Sequence, residues 1–125
     1  MRRFWFLCGI VCLAVSVAKA QDPVQVDPKN WKVEFENDQV RVLRVKIDPH
    51  GKLGMHEHPA NLLITLTDGR VKDVFPDGKT AERDFKAGQA TWRPAVKHAN
   101  ENLTDKPTES ILVELKATPA PKKSQ

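Results

Sequence analysis

The chain contains no tyrosine, and its two cysteines, Cys8 and Cys12, both fall within the first twenty residues. That opening stretch reads as an export signal. Arg2 and Arg3 precede an apolar run from Phe4 to Val17, and Ala18-Lys19-Ala20 supplies the small-x-small pattern of a signal-peptidase site ahead of Gln21. Both thiols leave with it, so the exported chain is expected to have no disulfide, no thiolate ligand and no cysteine nucleophile. The apolar run is too short and too closely followed by polar residues for a membrane span, so no stable anchor is expected once it is cleaved, an uncleaved N-terminal anchor being the alternative. A strong excess of positive charge is missing as well. The formal charge is +4, but Arg2, Arg3 and Lys19 depart while every acidic residue stays, so the remainder carries about +1. The basic sequence pI is therefore no evidence for nucleic-acid or membrane binding, and no nucleic-acid partner is expected. The expected location is the periplasm or the extracellular space.

Helical periodicity is the next absence. Nowhere between Gln21 and Thr118 do apolar residues hold an i, i+3, i+4, i+7 pattern over three turns, and no internal repeat is evident. About 105 residues remain after the signal, room for a single core. Residues 21–30 form a lead-in whose two Asp-Pro pairs, Asp22-Pro23 and Asp27-Pro28, favour extended or turn backbone over helix. From 31 to 116 the chain alternates by twos. Trp31, Val33 and Phe35 share one parity, and Gln39 to Ile47 is rich in β-branched residues with a parity switch that predicts a bulge or a strong bend near Val42. Asp68-Gly69 predicts a hairpin turn between the strand ending at Thr67 and a return strand from Arg70 to Phe75. Strands follow over Thr80 to Phe85, Ala90 to Arg93, Val96 to Asn102 and Glu109 to Lys116, and residues 117–125 read as a disordered tail. About eight or nine short strands with turn signals every eight to twelve residues predict an all-β fold, a small antiparallel barrel or jelly roll. Short exposed edges make a homodimer one way to cover them.

What the chain does have is G-M-H-E-H-P-A-N from Gly54 to Asn61. His56 and His58 are two apart, so in a strand both imidazoles leave the same face and point at one spot. Two such ligands hold an ion weakly. Of the other histidines, His50 lies in a D-P-H-G turn and reads as solvated, whereas His98 lies on a later strand. His56, His58 and His98 are therefore the candidate ligands of one divalent metal: iron, manganese, nickel, copper or zinc. Asn61, Asn100, Asn102 and Arg93 are candidates for contacting a bound molecule or orienting an imidazole, with Arg93 suited to a carboxylate. Satisfying strand-end backbone is the competing role for Asn100 and Asn102. Trp92 reads as core or rim packing.

These stretches resemble the paired signatures of the cupin superfamily. Gly51, His56, His58 and Gly69 match the first signature, while its glutamate position falls on Leu62 or Leu63. Gly88, Pro94, His98 and Asn102 match the second, which here lacks its internal glycine. The resemblance spans roughly Val33 to Leu115 and implies a barrel with a metal site, without fixing the reaction, since one fold hosts many functions. Three neutral imidazoles without the carboxylate leave a dicationic centre with open positions, similar to three-histidine sites in some cupin-like dioxygenases acting on small anionic substrates. Lacking tyrosine and, once processed, cysteine, the chain has neither the phenolic acid of cupin epimerases nor a thioether cofactor. Asp73 is the one inward carboxylate that parity places near the histidines, and no catalytic residue is assigned. The alternative is a non-enzymatic domain that holds a small-molecule ligand in the barrel mouth.

Overall fold

A computed structural model describes residues 21–117. The expected signal and nearly all of the expected tail lie outside the described residues. The chain begins with a single helical turn, α1 (Pro23–Val26), followed by nine strands: β1 (Trp31–Glu36), β2 (Val40–Ile47), β3 (Lys52–His58), β4 (Asn61–Thr65), β5 (Gly69–Val74), β6 (Thr80–Phe85), β7 (Ala90–Arg93), β8 (Val96–Asn102) and β9 (Thr108–Leu115). They form two antiparallel sheets, β1-β2-β9-β4-β7 and β3-β8-β5-β6, the all-β barrel architecture expected from the period-two pattern.

The helical turn corrects the reading of the lead-in. Asp22 caps it, its carboxylate accepting from the Val24 N–H at 2.8 Å, and Pro23 sits at the first helical position, where no N–H is needed. The lead-in also closes an edge. The Glu57 N–H donates to the Gln21 carbonyl at 2.8 Å, so the outer side of β3 does not lie bare.

Two further expectations change. The bulge predicted near Val42 sits on the partner strand instead, where register shifts between Val33 and Phe35 against Leu43 and Val42. The extra residue breaks the alternation of β1, so Trp31 is buried while Phe35 is 53% exposed. The Asp68-Gly69 turn is not a hairpin. β4 pairs with β7 and β9, and β5 with β6 and β8, so this turn carries the chain from one sheet to the other. A dipeptide that favours reversal does not choose which strand the next one pairs with. Glycine is required there, because a Cβ on Gly69 would meet Thr108 Cγ2 at 2.5 Å.

Inward parity fixes the core. Leu43 opposes Leu112, which opposes Leu63, across β2, β9 and β4; Trp31, Val45, Ile47 and Leu53 complete the apolar cluster. Each such side chain contributes about 1.5–3 kcal/mol on burial. Two residues further along the same strands, the inward row becomes polar: Arg41 opposes Glu114, Glu114 opposes Asn61, and Asn61 opposes Arg93. The barrel is thus filled by apolar side chains at one level and polar ones at the next.

Candidate metal centre

β3 places His56 and His58, and β8 places His98 directly opposite His56. A bulge between Leu53 and His56 turns the Gly54 carbonyl toward the His56 ring, whose Nδ1 lies 2.7 Å from it. His58 Nδ1 lies 2.6 Å from Glu114 Oε1, and His98 Nδ1 lies 3.2 Å from Asp73 Oδ1. A carbonyl and two carboxylates can only accept, so each neutral ring carries its proton on Nδ1 and bares the Nε2 lone pair. All three Nε2 atoms are buried without a hydrogen-bond partner. The three residues bring their ligand atoms within 4.8 Å of one another, near enough for small ring rotations to bring them onto one ion. Trp31 walls the cluster, its ring centroid 5.2 Å from those of His56 and His58.

Burial pushes His56 down to about 4, with the neighbouring His58 and His98 adding to the shift and the Gly54 carbonyl opposing it. His98 is also lowered by burial, against the pull of Asp73. Neutral imidazole is the state that coordinates a metal. The donor set therefore fits a borderline divalent ion such as zinc, copper, iron or nickel. Unpaired nitrogens of this kind, each ring anchored at its other end, are what a bound ion needs from its ligands.

Asp73 lies on β5, buried, as parity predicts. Arg83 donates to its Oδ2 from Nε at 2.7 Å and Nη2 at 2.6 Å, and Asn100 Nδ2 donates to Oδ1 at 2.6 Å. Burial opposes its charge, but His98 and Arg83 outweigh that and hold the carboxyl below its ordinary range. Asn100 thus braces the partner of His98. Asn102 turns the other way and donates to the carbonyls of Ile47, Asp48 and Lys106, serving the backbone. Asn61 is fully buried; its Nδ2 donates to the Pro59 carbonyl at 2.9 Å, leaving Oδ1 without a partner. Leu63 lines the same cavity as His58 and His98, so an apolar group faces the centre from one of the two positions where the resembling signature has glutamate. Trp92 is 58% exposed and is neither core nor site.

Glu114 is the site residue that sequence reasoning passed over. It stands among Ile111, Val113 and Leu115, yet shares the parity of inward Leu112, which was its signal. It also lies 3.9 Å from Arg41 Nη1, and Arg41 pairs with Asp22.

Two antiparallel sheets closed over a buried histidine cluster define the class: a cupin fold, the double-stranded β-helix. No protein-family model and no curated protein sequence matches the chain. Solved structures do. A cupin domain from Bordetella pertussis Tohama I is 26% identical with TM-score 0.65, covering 70% of this chain and 92% of that one. A double-stranded β-helix protein from Klebsiella pneumoniae is 20% identical with TM-score 0.54, covering 67% and 73%. The polyketide cyclase RemF from Streptomyces resistomycificus is 20% identical with TM-score 0.51, covering 68% and 63%.

Proposed function

We propose that this protein holds one divalent transition-metal ion through Nε2 of His56, His58 and His98, and that a small exogenous molecule completes the ion's coordination. The observation that carries the reading is the set of three buried, unpartnered Nε2 atoms, each ring's Nδ1 lying 2.6–3.2 Å from an oxygen acceptor. Such an ion would supply Lewis acidity or, if it is iron, oxygen chemistry. The chain's own contribution is positional. The Gly54 carbonyl, Glu114 and Asp73 fix the three tautomers, and Trp31 limits ring movement. Leu63 leaves one side of the centre without a protein ligand. Export, as expected from the leader, would put the site in the periplasm or outside the cell.

One observation favours binding without turnover. Both inward carboxylates, Asp73 and Glu114, are already engaged by histidine and arginine, so neither stands free as a proton-transfer base. The two readings share the metal and differ in catalysis. Elemental analysis of protein purified without chelator tests the shared part: about one ion per chain is expected, lost in His56→Ala/His98→Ala. A folded protein that takes up none of the five candidate metals would overturn it. Oxygen consumption with small organic acids, read on the iron-loaded form, then separates enzyme from binding domain.

A further inference from the structure

We infer that Arg93 anchors the carboxylate of a short-chain organic acid inside the barrel, beside the three imidazoles. Arg93 ends β7 and points inward, opposite Asn61, into the cavity that His58, His98, Asn100 and Leu63 also line. The other inward charges around it are engaged. Asp73 is held by Arg83, Asn100 and His98; Glu114 by His58; and Arg41 by Asp22. Among the described residues, Arg93 alone of this group has no ion pair and no side-chain hydrogen bond. Its five N–H donors sit in a half-buried position where burial and the nearby Arg83 cation disfavour its charge, down to about 10, with Asp73 opposing. An unpaired guanidinium costs stability unless something answers it. A carboxylate does so with two parallel hydrogen bonds.

Two features narrow the ligand. The cavity measures about 40 Å3, room for roughly three waters, and its walls include Val45, Ile47, Leu53 and Leu112. A short acid with a small apolar body fits; a nucleotide or sugar phosphate does not. The inference deepens the proposed function, and only what the acid's other end meets rests on the metal reading.

The test is a titration of the purified protein with acetate and with glycolate, acetamide serving as the uncharged control. It is run once with chelator and once with cobalt(II), and is read by the 15N-resolved Arg93 side-chain resonance and by melting temperature. Saturable shifts with both acids but not acetamide are expected. Arg93→Gln should weaken binding roughly ten-fold or more, with Arg93→Lys retaining part of it. The variant should melt higher than wild type without acid, and acid should raise the melting temperature of wild type alone. Equal acid affinity in Arg93→Gln, or no saturable response, would overturn the inference. Acid that still saturates in chelator, in a protein that takes up none of the five candidate metals, removes the metal reading and leaves Arg93 standing. Cobalt bound with acid indifferent to residue 93 removes this inference alone.

Discussion

Glu114 illustrates how one side chain acquires a role from a partner more than fifty residues away. Its Oε1 takes the His58 Nδ1–H at 2.6 Å in a buried position, which leaves the Nε2 lone pair of that ring available to a metal. Glu114→Gln should lower metal affinity about ten-fold, and Asp73→Asn similarly, since partners of ligating histidines typically contribute 10–100-fold. Competition with a chromophoric chelator measures this. Unchanged affinity in both variants would mean that the rings orient themselves. Leu43→Ala and Leu112→Ala act on the apolar level instead. Each should cost about 2–5 kcal/mol in urea unfolding through lost burial and the space left behind, with metal affinity preserved in whatever remains folded.

At the scale of elements, two joints decide whether the strands meet in register. Asn102 ends β8 by binding three carbonyls and accepting from the Thr104 N–H at 3.0 Å, tying the β2 exit to the β8–β9 connection. Asn102→Ala strands those groups and should cost about 1–3 kcal/mol or more in equilibrium unfolding, without a comparable loss of metal affinity. A loss confined to metal binding would instead place Asn102 in the site. The second joint is Gly69, where the chain changes sheets. Gly69→Ala drives a methyl against Thr108, and Gly69→Ala/Thr108→Ser, which removes the opposing methyl, should recover much of the lost melting temperature.

For the whole molecule, acid is the condition that exposes the buried cluster. Burial takes His56 from the ordinary 6.5 to about 4. Between these values the unfolded chain binds the proton and the folded chain does not. Stability of the metal-free protein therefore falls as pH falls from 6.5 toward 4, by roughly 3 kcal/mol for this residue. His98, lowered in the same direction, adds to the loss. Asp73, whose folded carboxyl titrates below its unfolded value, adds a further loss at still lower pH. Urea titrations from pH 7 to 4 in chelator measure this; a flat profile would contradict burial of neutral rings. Bound metal competes with those protons, so the difference in stability between loaded and metal-free protein should persist well below pH 6.5, the range of a free imidazole.

Alternation along the chain was enough to determine the all-β class, most strand positions to within a residue or two, though not the break between β3 and β4, and the shared face of His56 and His58, because strand geometry makes parity a local property. Inward Asp73 followed from the same parity, whereas joining the later His98 to the H-x-H pair leaned on the resemblance to the cupin signatures, since parity does not say which strands become neighbours. Tertiary structure alone decided the rest. It chose which sheet β5 joins after Asp68-Gly69, since hydrogen-bonding edges are offered by distant strands. It moved the bulge from β2 to β1, because pairing partners share a register and either can take up the extra residue. It set Glu114 against His58 and left Arg93 with no partner, because which charges meet inside a barrel depends on how its sheets close over one another.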